Sequence, residues 1–352
     1  MNNKDGPLQW GLGGSPPFEG DPFALARSSC RRAVEIARDV AIDEPALQRF
    51  AGQLDVPAIR DILQSSMGEN CDTVANQFSN GDDAANFAVL FSLMQFGHGF
   101  RHELHDSCQR GASQTITLGI RALRGAGDLS AGHLRGLTGE EIYRAFQLPK
   151  TPALAVFAQQ LHAVLVKAGV TLESLGLKDF AAFIQQTLRM AAAAQAPAAT
   201  TVQQLAFHFG AFNDQGVLHD GSRAVLMKKA TLGIGELRRL AAPHNALYAF
   251  SEDFRQAIAP VDNVIPAMLA CQGVLRLSPT LHRTIHVDRT LLPRGPQEAE
   301  LRAVSLAACE QIVGVVGGAF TALDLGYYLW RSGKAQGARQ FSRHHTQDTV
   351  FY

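Results

Sequence analysis

The chain is short of the features that mark exported, membrane-bound or nucleic-acid-coating proteins. Its five cysteines, Cys30, Cys71, Cys108, Cys271 and Cys309, are odd in number and include no CxxC pair. That scatter speaks against a disulfide framework and for reduced thiols in a cytoplasmic setting, most of them small core residues. Neither sign of charge is in excess. Lys plus Arg and Asp plus Glu each number 32 in 352 residues, so no positive field exists to gather a nucleic acid, and no basic run takes its place. The most apolar stretch, Gln311 to Trp330, is interrupted by Asp324 and several glycines. Its uncharged part falls short of the ~20 residues that a bilayer crossing needs, so it reads as a buried helix and no membrane partner is expected. The opening residues lack the basic and apolar regions of a secretory signal, and residues 1–22 read as a flexible lead-in to one domain over 23–352. No P-loop, GxGxxG or GxSxG occurs, which removes the commonest nucleotide-hydrolysing, dinucleotide-binding and serine-hydrolase readings.

What the chain has instead is helical periodicity. SSCRRAVEIARDVAIDEPALQRFAGQL offers Ser28 and Ser29 as caps, followed by Ala33, Val34, Ile36 and Ala37 at helical spacing. TPALAVFAQQLHAVLVKAGV repeats the pattern and ends at a C-cap candidate, Gly169; SLGLKDFAAFIQQTLRMAAAA repeats it again. The best strand is SRAVLMKKA behind the turn HDG, which suggests a small β-hairpin. Residues 191–201, AAAAQAPAATT, read as a connector. The expected architecture is therefore mostly α: one large helical domain of two helical parts with a small hairpin.

Three polar groupings stand out against that background. FGHGFRHELH brings His98, His102 and His105 within reach of one helix face, but it lacks the HExxH spacing of a zinc protease and a cysteine at finger spacing. Either Gly97 and Gly99 shape a turn that brings His98 and Arg101 to a ligand, or the segment is a solvated helix entry. Lys228 and Lys229 follow an apolar triplet, where an inward ammonium needs an anion such as phosphate; the plain alternative is an exposed pair on an edge strand. Finally, AIAPVDNVIPAML holds Asp262 and Asn263 inside an apolar run. Asp262 is either a helix cap or a carboxylate kept there for its chemistry.

The order of these fragments resembles the queuosine salvage family, the queuosine 5'-phosphate N-glycosylase/hydrolases, from about Ser29 to Tyr352. CRRAVEIARDVAIDEPALQRFAGQL is similar to that family's first helix pair, and LMQFGHGFRHELH to its N-F-G-S-G-Y/F segment, with Gln95 where Asn is usual. FNDQGVLHDGSRAVLMKKATLGIGEL resembles the F-x-D...G...Y-K-[RK]-A-Q stretch, matching Asp214 and Lys228 and departing at Met227 and Thr231. APVDNVIPAML resembles the F-A-D-x-x-[VI]-P core and sets Asp262 on its catalytic aspartate. LLPRGPQEAELRAVSLAACEQI matches the next block at Gly295, Glu298, Glu300 and Arg302; YLWRSGK and SRHHTQDTVFY match the ending, with Gly326 where Asp or Asn often stands and Asp324 two positions early.

This resemblance implies a helical fold akin to helical DNA glycosylases and hydrolysis of queuosine 5'-monophosphate to queuine and ribose 5-phosphate. The substrate is a small nucleotide, and no metal or organic cofactor is implied. Asp262 takes the catalytic position, with Asn263 counted beside it. Lys228 is expected at the 5'-phosphate, helped by Arg302 or Arg343, and Asp214 at the base or ribose. Phe96, Tyr328 and Trp330 are stacking candidates, and His98 and Arg101 complete the set. Arg302 with Glu298 or Glu300 reads equally as a structural ion pair. A glycosidase for another modified nucleotide and a non-catalytic nucleotide-binding protein are the alternatives.

Overall fold

The computed structural model describes residues 18–62, 78–126, 128–191, 195–250, 252–335 and 341–352. Asp21 opens the first helix, Pro22–Ile36, its carboxylate accepting from the backbone N–H groups of Phe23 and Ala24 while Pro22 occupies the first turn. This start lies upstream of Ser28 and Ser29. Those serines sit inside the helix and donate to Leu25 and Ala26 carbonyls. Most of the lead-in assigned to residues 1–22 lies outside the described residues.

Helices dominate, as the periodicity predicts, and among the described residues the strands form two short antiparallel pairs, beside one isolated bridge between Leu291 and His345. Val40–Ile42 pairs with Leu275–Leu277; Gln215–Val217 pairs with Arg223–Val225 around the HDG turn, where Gly221 takes φ +82°. The expected hairpin is therefore present but ends earlier than SRAVLMKKA suggests. Lys228 already begins the helix Lys228–Glu236.

Three other readings change. Gly169 does not cap a helix: Pro152–Ser174 runs past it, and a Cβ there would stand 2.4 Å from the Arg135 backbone nitrogen. The glycine permits a close crossing with the Ala131–Gly136 helix. The apolar run from Gln311 is not one helix either. Pro296–Val315 stops before Gly317 and Gly318, both at positive φ, and Ala322–Ser332 starts anew with a capping box in which Thr321 and Asp324 bond reciprocally. Asp324 thus begins a helix. In the connector stretch, Pro197 opens the helix Pro197–His208, so residues 197–201 are helical; 192–194 lie outside the described residues.

Pro152–Ser174 is long and apolar enough by composition to cross a membrane, although half of its most apolar window is buried inside the protein. At the centre lies Pro296–Val315, whose residues Glu298 through Cys309 are all buried. A helix enclosed on every side leaves no water for Glu298, Glu300 and Arg302, so each must find an internal partner. The Pro22–Ile36 helix packs on this central helix, and Lys228–Glu236 packs on Gly81–Leu93.

Candidate active site

A cavity of about 560 Å³ opens between four helices. Three of them present side chains four residues apart, which places each set on one helical face. Phe87, Phe91 and Gln95 come from Gly81–Leu93 and the turn after it; Ser113, Thr117 and Arg121 from Ala112–Ala126; Lys228, Leu232 and Glu236 from the Lys228 helix. Tyr327 and Trp330 of the Ala322–Ser332 helix close the side. Lys228 and Glu236 are eight residues apart, so about 12 Å of helix separates the ends of this wall.

Asp262, Lys228 and His98 gather at one end. Asp262 is 2% exposed, and both of its hydrogen bonds fall on Oδ1, which accepts from Val264 N (2.7 Å) and Ile265 N (3.4 Å). It therefore caps the Val264–Cys271 helix with one oxygen while the carboxylate lines the cavity. The two readings of this residue coexist. Burial pushes its pKa up, but His98 where acid protonates it, Lys228, the Val264 N–H and Arg343 together hold it below the ordinary carboxylate value. The carboxylate is charged at neutral pH.

Lys228 is 4% exposed and donates from Nζ to the Gln95 carbonyl at 2.6 Å. Burial lowers its pKa to about 8, with Asp262 opposing that shift. Burial likewise brings His98 down to about 3, so its imidazole is neutral, and its buried Nδ1 lacks a hydrogen-bond partner. The two glycines around His98 explain its placement. Gly97, at φ +89°, admits the Phe157 ring, and Gly99 admits the Thr346 carbonyl, which would lie 2.1 Å from any Cβ. Lys334 also lines the cavity, 3.3 Å above the Trp330 ring, and its charge acts on His98. This end combines a carboxylate with several cations.

The other end is a closed polar cluster. Glu236 accepts from Tyr327 Oη (2.8 Å) and forms an ion pair with Arg239, which also lines the cavity. Sequence reading missed Glu236, Arg239, Tyr327, Arg121 and Lys334. The one available signal was the four-residue spacing of Lys228, Leu232 and Glu236.

Several expected site residues stand behind the wall. Asp214 does not line the cavity: both of its oxygens are taken by Arg302, and Oδ2 also accepts weakly from the Lys228 backbone N–H (3.4 Å). Arg302 in turn donates to Glu298 (3.2 Å) and the Val261 carbonyl, and stacks on Tyr352. Although burial alone would lower its pKa, Asp214 and Glu298 raise it and keep the guanidinium charged. Arg302 is thus the structural ion pair of the two readings and offers nothing to a phosphate. Phe96 is fully buried against Phe157 and below the Lys229 ammonium. Tyr328 lies outside the lining, its neighbour Tyr327 taking that place. Asn263 donates to the His344 carbonyl, Arg343 to the Gly333 carbonyl, and neither lines the cavity, although the Arg343 charge reaches Asp262. Arg101 also lies outside it. Lys229, like Lys228, is buried, donating to the Leu93 carbonyl, so the exposed-pair reading fails. His102 makes a tilted ring contact with His345, and among the described residues no metal-binding group brings the three histidines together.

Among the motif departures, Gln95 and Gly326 line the cavity. A Cβ at Gly326 would stand 2.5 Å from Pro260 Cδ, so a larger side chain cannot enter without a shift.

Comparison with known proteins identifies the family of the whole chain. The chain is 29% identical over 339 residues to the queuosine 5'-phosphate N-glycosylase/hydrolase of Sphaerobacter thermophilus, covering 92% of this chain and 97% of that protein. To the Dictyostelium discoideum protein of the same name it is 22% identical over 345 residues, 94% of this chain and 100% of the other. The family model described as queuosine salvage protein matches residues 118–352, which carry Lys228, Asp262 and the capped helix behind them. The chain belongs to the queuosine salvage protein family.

Proposed function

We propose that this protein is an N-glycosyl hydrolase that releases queuine from queuosine 5'-monophosphate and leaves ribose 5-phosphate, returning the base for tRNA modification. The observation that carries the reading is the ionised Asp262 in a nearly dry wall, beside cations, in a cavity whose volume suits a small ligand. As the bond to the base breaks, positive charge grows on the ribose ring oxygen and the anomeric carbon. A fixed carboxylate in low dielectric stabilises that charge more than one in water does. Water then adds its hydroxyl to the anomeric carbon. Asp262 orients the water and takes its proton; the base leaves as its ring anion and is protonated from solvent, and Asp262 gives its proton back to solvent, so one water is consumed.

The leaving group makes this electrostatic term decisive. A 7-deazaguanine carries carbon at position 7, so the imidazole-type nitrogen that eases departure of an ordinary purine is missing. Lys228, with Lys334 also lining the cavity, suits the 5'-phosphate, a dianion a few bonds from the reacting carbon. The neutral His98 with its unpartnered Nδ1 faces the same space.

A second reading keeps the chemistry and changes the base. Gln95 replaces the usual Asn of the motif, lines the cavity, and has a buried Nε2 without a partner, so the base edge it meets differs from that of relatives carrying Asn. Incubating the purified protein with a panel of nucleoside 5'-monophosphates and assaying free base by mass spectrometry separates the readings. Queuine from queuosine 5'-monophosphate is expected. Release of another base alone would overturn the substrate and keep the reaction; release of none would overturn both. The four described cysteines are free thiols, which supports a reducing, cytoplasmic setting.

A further inference from the structure

Outside the cavity, three chain segments bring metal-binding side chains to one point. Asp39 lies between the Pro22–Ile36 helix and the Val40–Ile42 strand, His219 in the HDG turn of the hairpin, and Glu300 on the central helix. Their ligand atoms all fall within 4.8 Å of one another. None of the three lines the cavity, and the proposed reaction uses none of them.

The geometry is poor for hydrogen bonding. His219 Nε2 stands 3.6 Å from Asp39 Oδ2 and 3.4 Å from Glu300 Oε2, and this buried nitrogen has no hydrogen-bond partner. A single N–H cannot point at both oxygens, and each distance exceeds the usual 2.7–3.2 Å. The same distances suit a shared cation. Ligands about 2.0–2.1 Å from a tetrahedral centre are separated by roughly 3.3–3.5 Å.

The carboxylates are also held from behind. Glu300 Oε1 accepts from Asp39 N and Val40 N, both at 2.7 Å, and Oε2 from Arg38 N at 3.0 Å. Asp39 accepts from Ser278 Oγ at 2.6 Å and from Gln297 Nε2 at 2.9 Å. Outer hydrogen bonds of this kind fix the orientation of metal-ligating groups. Two carboxylates and an imidazole binding through a ring-nitrogen lone pair offer two negative charges, which a divalent ion balances. The imidazole disfavours calcium and magnesium, which take oxygen ligands, and favours zinc and its neighbours.

We infer that Asp39, His219 and Glu300 form a structural site for a zinc-class divalent cation, fastening the hairpin turn to the central helix and to the loop after the first helix. Three protein ligands leave a fourth position for water, since His219 and Asp39 are only partly buried. The hairpin leads directly into the helix that carries Lys228, so the cation steadies one wall of the cavity without entering it.

The test uses the intact protein, stripped with chelator and dialysed. Zinc titration followed by calorimetry should show one saturable equivalent and a rise in Tm, and cobalt(II) should give the visible absorption of a tetrahedral centre. His219→Ala and Asp39→Asn should each weaken zinc at least about tenfold and abolish the cobalt bands, the scale on which lost ligand-sphere interactions act. His102→Ala should leave both unchanged. Circular dichroism of the stripped variants checks that they fold, and Asp39→Asn, nearly isosteric, serves if His219→Ala does not. No saturable zinc equivalent, or one that survives in both ligand variants, would reduce the cluster to a plain histidine–carboxylate contact.

Discussion

Asp214 and Asp262 are 1% and 2% exposed, and both act on the charge of Lys228, yet their surroundings differ in kind. Every polar atom of the Asp214 carboxylate faces protein: Arg302 grips both oxygens, and the Lys228 backbone takes a share of one. Asp262 commits only Oδ1, to a helix end, and otherwise borders open space. The first is a closed electrostatic unit; the second is an incomplete one. Burial alone therefore does not mark a reactive carboxylate. The distinguishing property is charge without a full set of partners next to a cavity that can supply one.

That contrast predicts opposite responses. Asp214→Ala should destabilise the fold by about 3–5 kcal/mol, because it removes the bidentate partner of the buried Arg302 guanidinium and leaves only Glu298 opposite it. Denaturant midpoints measure this, and combining Asp214→Leu with Arg302→Met and Glu298→Gln, which leaves no charge of the cluster unpaired, should recover much of the loss. A single variant as stable as the parent would place Asp214 among the solvated residues. Asp262→Asn should leave stability nearly intact, since the amide oxygen can still cap the helix, while hydrolysis falls roughly a hundredfold or more. Single-turnover rates of the folded variant decide, and a rate within a few fold of the parent would make Asp262 a cap only.

Lys228→Ala probes the boundary between the two units. It should weaken the monophosphate by about 1.5–3 kcal/mol and the matching nucleoside much less, because only the former brings a dianion. Equal losses would assign Lys228 to the Asp214 side, as a support. The smallest effect is in pH dependence. Asp262 stays ionised above its lowered pKa, so no acid limb from it is expected above roughly pH 5. Lys228, lowered to about 8, loses its proton as pH rises through that value, and kcat/KM for the monophosphate should decline above it by up to roughly tenfold per unit. The sign for stability is opposite. Between pH 8 and the unperturbed value of 10.5 the unfolded chain binds more protons at this lysine than the folded one, so this group adds stability as pH rises through that window. A flat profile through pH 9 would remove the charged Lys228 from phosphate binding.

Much of the helical architecture was legible because its cues are local: spacing of apolar residues, a turn motif, a proline. The errors came where a local cue had a nonlocal use. Gly169 resembles a stop signal but serves a helix crossing, and Gly317 and Gly318 hide a real stop inside an apolar run. Asp262 was readable because a carboxylate in an apolar stretch is conspicuous. The fate of Asp214 was not, because its partner lies 88 residues away and only tertiary packing brings them together. The Glu236–Arg239–Tyr327 end of the cavity was equally hidden, since Glu236 and Tyr327 meet across 91 residues.

The double engagement of Asp262 has an evolutionary consequence. Under the proposed reaction this residue both starts a helix and serves the chemistry, so two selections hold it, and relaxing one does not release the other. A lineage that abandoned hydrolysis would still favour a capping side chain here, with Asn and Ser as its nearest neutral steps. The residue type alone therefore says less about activity than its setting, one oxygen uncommitted beside the cavity, whereas drift to Asn or Ser with the fold intact would testify to loss of the proposed reaction.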